Sequence, residues 1–259
     1  MSGWSAHALL GMPIWLLVAL FMVAVFAGWV DAIAGGGGLL TLPALLAAGL
    51  PPTQALATNK LQGSFGSLSS SLYFLHRGQV KLHAVLPGVM ACALAAALGA
   101  RCVQYVDAAL LRRLIPILLI SVAGWFLLRP QAGEGGGPAR LSWPAFVLMA
   151  VPVIGFYDGM LGPGTGTFLA LAGISLRGLP ATGATAQAKW LNLGSNLGAL
   201  AVFLFSGKIH WLPGVVMAMG QMIGGRLGAG TVMKRGAGIV RPLVICISLA
   251  ISARLLIWG

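Results

Sequence analysis

An aspartate closes a long apolar run at Asp31, and a break of four glycines, Gly35-Gly36-Gly37-Gly38, follows it. A short apolar segment comes next, then Gly49-Leu50-Pro51, then Lys60 inside a further apolar run. The same order returns in the second half: Asp158, the break Gly162-Pro163-Gly164-Thr165-Gly166, a short apolar segment, Gly178-Leu179-Pro180, and Lys189. Glycines in such a run free the backbone to unwind. Non-helical backbone at membrane depth is tolerated only where protein or a water-filled cavity satisfies its polar groups. An unwound turn leading into a short helix presents free N–H groups at a helix N-terminus, a ready anion site. The competing reading of each glycine run is close helix packing through small residues. Gly162 to Gly166 is not a phosphate loop of the Walker type, because the Lys and hydroxyl that should close it are missing.

Composition decides the solvent. Of 259 residues, 58% are hydrophobic and 8% charged, where a soluble domain carries roughly a quarter charged residues. Several apolar runs reach the roughly 20 residues that cross a bilayer as helix. They are continuous rather than alternating, which argues against a barrel. The expected class is an all-α polytopic membrane protein. Sixteen Lys and Arg face four Asp and Glu, a formal net charge of +12. In a soluble protein that balance would raise nucleic-acid binding; here basic loops setting orientation explain it first, and a field favouring anions second. No nucleic-acid partner is expected. Cys92, Cys102 and Cys246 form no Cys-x-x-Cys pair and lie near no His at metal spacing, so neither disulfide nor metal is inferred. The N-terminus lacks Lys and Arg before its apolar run and does not read as a cleaved signal peptide.

The runs predict about eight main transmembrane helices of spanning length. They fall at 13–34, 53–75, 82–104 and 108–128 in the first half, and at 141–161, 182–205, 211–231 and 239–258 in the second. Between the first two of each half lies a segment too short to span, 39–48 and 167–176, read as a re-entrant or half helix. Residues 129–140, rich in glycine, form the one long polar linker. The organisation is therefore two homologous halves, 1–128 and 141–259, each with a Gly-broken helix and a short half helix. Loop charges do not decide whether the repeats are parallel or inverted, and a homo-oligomer stays open. His7, His76, His83 and His210 read as interface residues, and most tryptophans fall near segment ends, as an aromatic belt would.

Lys60 and Lys189 are the costly residues. A lysine at the centre of a membrane helix costs about 2.5–3.5 kcal/mol on insertion scales. Snorkelling to the interface is one reading of them. The other follows from their neighbours. Lys60, Ser64, Ser67 and Ser71 share one helix face, as do Thr185, Lys189, Asn192 and Asn196. Each helix thus has a polar stripe headed by a lysine that asks for a negative partner. Asp31 and Asp158 have three open roles: pairing with the lysines, capping the Gly turns, or carrying protons.

The residues Gly28-Trp29-Val30-Asp31-Ala32-Ile33-Ala34 with the glycines after them, Ala57-Thr58-Asn59-Lys60, and Lys189-Trp190-Leu191-Asn192-Leu193-Gly194-Ser195-Asn196 resemble the sulfite exporter TauE/SafE family. That resemblance implies a multi-pass protein of the bacterial inner (cell) membrane moving a small inorganic or organic oxyanion of the sulfite, sulfonate or thiosulfate class. Carried over by position, it implies a binding site of Gly35, Gly36, Gly37, Gly38, Asn59, Lys60, Gln62, Gly162, Gly164, Thr165, Gly166, Gln187, Lys189 and Asn192. Asp31 and Asp158 have structural or coupling roles beside it. No cofactor is implied, and the only other partner is the lipid bilayer. The expected mechanism is alternating access at a site between the repeats. An enzyme is not expected: the chain has no paired carboxylates, no His cluster, and no Ser or Cys beside a base. A non-transporting scaffold or assembly factor is the alternative, and it leaves the two matched lysines without a purpose.

Overall fold

A computed structural model describes residues 12–111, 113–115, 117, 120–121 and 138–235. The predicted helix at 239–258, the far part of that at 108–128, and most of the linker lie outside the described residues. Every regular element among those described is a helix. They are α1 (Ile14–Ala34), α2 (Gly38–Ala47), α3 (Pro52–His76), α4 (Leu82–Val103), α5 (Trp143–Met160), α6 (Thr165–Arg177), α7 (Ala181–Ser206) and α8 (Trp211–Arg235). A further helix begins after Asp107, whose Oδ1 accepts from the backbone of Ala109 and Leu110.

The sequence explains where these helices start and stop. Gly-Leu-Pro precedes both α3 and α7, and Pro51 and Pro180 hold extended backbone at the two N-caps. Proline suits the start of a helix because its missing N–H would have no intrahelical acceptor there. α1 ends on Gly35, whose φ of 77° is left-handed. α5 ends where Gly162 (φ 97°) and Gly164 (φ 83°) turn the chain into α6. Helices α2 and α6 have 10 and 13 residues. At 1.5 Å per residue they cover about 15–20 Å, short of a hydrocarbon core about 30 Å thick. The half-helix expectation holds for both.

By length and apolarity α1, α4 and α5 qualify as membrane spans. Helices α3, α7 and α8 are longer, at 25, 26 and 25 residues, but α3 and α7 carry buried polar faces. The outer surface is hydrocarbon: Leu86, Met90, Leu94 and Leu98 form one exposed stripe along α4, and Val215, Met219, Met222 and Leu227 line α8. An exposed stripe at helical spacing is what lipid requires.

The packing interleaves the chain halves. α1 packs chiefly on α8, and α8 also packs on α3; reciprocally α4 packs on α5 and on α7. The short helices stay with their own halves, α2 against α1 and α3, α6 against α5 and α7. Two packing groups result: α1, α2, α3 and α8 on one side, α4, α5, α6 and α7 on the other. They meet mainly along α3 and α7. Small residues allow the close crossings. Gly220, Gly224 and Gly228 on α8 lie over the backbone of Phe21, Val25 and Trp29 on α1. A methyl on Gly220 would sit 2.7 Å from the Phe21 carbonyl oxygen, so the crossing depends on its absence. This is the small-xxx-small packing by which membrane helices associate without a hydrophobic drive.

Candidate functional site

The two Gly breaks meet. A Cβ on Gly166 would lie 2.7 Å from the Gly35 Cα, and the Thr167 hydroxyl donates to the Ala34 carbonyl. The end of α1 and the start of α6 are therefore in backbone contact across the boundary between the packing groups. Gly35, Gly36, Gly37, Gly162 and Gly164 are non-helical, as expected. Gly38, Thr165 and Gly166, expected in the unwound turns, instead form the first turns of α2 and α6. Around these starts the Thr165 N–H donates to the Gly162 carbonyl at 3.3 Å and the Gly37 N–H to Asp31 Oδ1 at 3.1 Å.

Between the breaks lies a cavity of about 30 Å³, room for roughly two water-sized bodies. Eleven residues expected at the site line it: Gly35, Gly37, Gly38, Asn59, Lys60, Gln62, Gly162, Gly164, Thr165, Gly166 and Asn192. Gly36, Gln187 and Lys189 do not reach its wall, though the Lys189 ammonium stands behind it, 3.1 Å from where a Cβ on Gly166 would be. Asp31 and Asp158 also line it, and Thr41, Gly63, Ser67, Asn196 and Gln221, which sequence reasoning left out, complete the lining. Every lining residue is glycine or polar; no hydrocarbon side chain faces the cavity.

Hydrogen bonds fix that wall. Asn59 Oδ1 accepts from Thr41 Oγ1 at 2.6 Å and from Gln62 Nε2 at 2.7 Å. Its own amide N–H groups are thereby turned toward Gly38, while Gln62 Oε1 is buried without a partner. Across α3 and α7, Ser67 Oγ accepts from Asn192 Nδ2 at 3.4 Å and Asn196 Nδ2 at 3.3 Å. The two polar stripes thus face each other where the packing groups meet.

Both lysines are buried, each with 1% of its surface exposed, so neither snorkels. Each takes an aspartate from the other half. Lys60 Nζ lies 2.8 Å from Asp158 Oδ2, and Lys189 Nζ lies 2.8 Å from Asp31 Oδ2. These are the two ion pairs among the described residues, and both bridge the packing groups. The pairs are not equal. Lys189 donates a hydrogen bond to Asp31, and Asp31 Oδ1 also accepts from Gly37 N at 3.1 Å, so this aspartate both pairs and caps. Asp158 caps nothing, and its contact with Lys60 is off the hydrogen-bonding direction, leaving Oδ2 buried without a hydrogen bond. Two lysines and two aspartates give the site a formal charge of zero.

The cavity wall thus carries the starts of α2 and α6, the Asn59 amide and the Lys60 ammonium, which is paired with Asp158. Helix ends and charge-assisted N–H bonds are the groups that replace an anion's hydration shell.

The chain matches the family described as Sulfite exporter TauE/SafE over residues 20–255. It is 46% identical over 241 residues to the probable membrane transporter protein ORF9 of a Sinorhizobium species, covering 93% of this chain and 92% of that protein. It is 46% identical to the probable membrane transporter protein YfcA of Escherichia coli K12, with 93% and 90% covered. A probable membrane transporter protein of Haemophilus influenzae is 43% identical, with 93% and 94% covered. No solved structure matches it.

Proposed function

The chain belongs to the sulfite exporter TauE/SafE family, a family of bacterial membrane transporters, and on that premise we propose that it is a secondary transporter of small sulfur-containing oxyanions of the sulfite, sulfonate or thiosulfate class. One observation carries the reading: two Gly breaks bring the starts of α2 and α6 to a single polar cavity that also holds Lys60. Site residues on both packing groups fit alternating access, in which one group rocks against the other about a midplane site. The moving bodies are then not the halves 1–128 and 141–259 but the interleaved groups, with α8 travelling beside α1 and α3. The two halves remain the repeats from which those groups are assembled.

Uptake by purified protein in liposomes tests this. The transporter reading expects saturable, protein-dependent entry of labelled sulfite or thiosulfate. A scaffold or assembly factor gives none. The lysines sharpen it: Lys60→Met removes a charge-assisted hydrogen bond worth about 1.5–3 kcal/mol, a loss of affinity of roughly tenfold to hundredfold. Unchanged affinity in both Lys60→Met and Lys189→Met sinks the assignment of these lysines to the site.

A further inference from the structure

The formal charge of the cavity poses a problem for any anion. With both lysines already paired, a monoanion would leave the buried site at −1, and an uncompensated buried charge is strongly destabilising. The charge is balanced if one carboxylate becomes neutral as the anion enters. The structure separates the two candidates. Asp31 is held by a lysine hydrogen bond and by the Gly37 N–H. Asp158 is held by an ion contact alone, 2.8 Å long and misaligned, with its carboxylate on the cavity wall. We propose that Asp158 is the proton carrier of the transport cycle, and that the anion takes its place beside Lys60. The proposal rests on the transporter reading and adds the coupling ion to it.

The step balances. A hydronium ion from the outside solvent gives its proton to the Asp158 carboxylate, forming the O–H bond of a neutral acid and leaving a water molecule. Lys60 keeps all its protons and turns an N–H from Asp158 to an oxygen of the entering anion. The site is neutral before and after for a monoanion, with one proton moving per anion; a dianion carries one further negative charge. Because the Lys60–Asp158 contact ties α3 to α5, its release also loosens one packing group from the other. Proton, anion and movement are thus linked through a single contact.

The groups around Asp158 leave it this role. Lys60 faces it from α3. Cys92 is the neighbouring titratable group on α4, and Tyr157 on its own helix donates to the Pro163 carbonyl at 2.6 Å. On α7, Lys189 is bonded to Asp31, and on α6, Arg177 is bonded to the Leu141 carbonyl and lies over Trp143. No second cation is therefore bonded to Asp158 among the described residues.

Methanesulfonate is a suitable probe, because it is a monoanion at every pH used. Purified protein is placed in liposomes holding a pH-sensitive dye, and labelled methanesulfonate is added outside. Wild-type uptake is expected to acidify the lumen by one proton per anion. Its apparent affinity should rise as the outside pH falls, by up to about tenfold per unit for one coupled proton. Asp158→Asn, permanently neutral, should bind methanesulfonate with that pH dependence gone and move no protons. Asp158→Glu, which keeps the acid if the amide variant does not fold, should stay coupled. Methanesulfonate uptake by the wild type without acidification overturns the proposal and leaves the transporter reading standing. So does acidification that persists in Asp158→Asn. If neither methanesulfonate, thiosulfate nor sulfite enters at any pH, both readings fall.

Discussion

The Gly break after α1 and the one after α5 occupy matching places and are held by different groups. At the first, Asp31 holds Gly37 and Lys189 together, and Gly35 touches the backbone of Gly166. At the second, Asp158 caps nothing; the Tyr157 and Thr165 hydroxyls hold the turn by donating to the Pro163 and Gly162 carbonyls, and a methyl on Gly162 would find its nearest neighbour, Lys60 Nζ, at 3.2 Å. The difference teaches that two stretches with the same order of residues need not share one role. One copy holds the shape of the site, while the other keeps a carboxylate and a lysine that can part.

Substitutions at the two breaks test that contrast most harshly. Gly35→Ala forces an L-residue to φ 77°, which costs about 1–2 kcal/mol by itself. It also drives a methyl into the backbone of Gly166 and Thr167. Loss of folded protein is expected, read as the monodisperse fraction in detergent. Gly162→Ala carries the same backbone strain but meets no backbone closer than 3.4 Å, only the Lys60 ammonium at 3.2 Å, and should lower stability by about 1–2 kcal/mol. Equal damage at both positions would break the comparison.

Breaking an ion pair comes next. Lys60→Met leaves Asp158 as an unpaired buried charge, at a cost of about 3–5 kcal/mol. Adding Asp158→Asn should recover most of the lost thermal stability, whereas adding Asp31→Asn should recover none. Rescue by Asp31→Asn would mean that the pairs form within each half. Smaller again is Ser67→Ala, which takes one acceptor from both Asn192 and Asn196 and should cost about 1 kcal/mol. Smallest is Ser142→Ala. The Ser142 hydroxyl caps α5 through Ala145 N at 3.4 Å, while α1 starts on Pro13 with no side-chain cap. Removing that long, exposed bond should cost about 0.5 kcal/mol, and a thermal melt should barely register it.

Much of this was legible in the chain. Helix limits agree with the expected segments to within about two residues except for α8, predicted to end at 231 and still helical at Arg235, the last described residue. The short helices declared themselves through glycine on one side and Gly-Leu-Pro on the other. The lysines and the stripes beneath them placed the site on α3 and α7. What spacing along one chain could not give was the exchange of partners. Asp31 and Lys60 share a half and read as natural mates, yet packing sends each to the opposite half. Gln221 was missed for a related reason. It is a lone amide in an apolar run, and only the seating of α8 against α1 and α3 brings it to the cavity. Ser67 and Asn196 were recognised as stripe residues but not as lining. Gln187 lies two positions from both Thr185 and Lys189, on the far side of the helix from that stripe, and is half-buried away from the cavity.

The seating of α8 also governs how such a chain is made. Trp29 Nε1 donates to Thr231 Oγ1 across 202 positions, and Gly220, Gly224 and Gly228 lie over the α1 backbone between those helices. Ribosomes add about 5–20 residues each second, so α1 waits about 10–40 s in the membrane before α8 emerges. Through that interval its close-packing face lacks α8, and so does α3, although Asp158 on α5 is made earlier and can already meet Lys60. A nascent chain stopped before residue 211 is therefore a partner-seeking fragment, open to quality-control proteases or to pairing with the wrong chain.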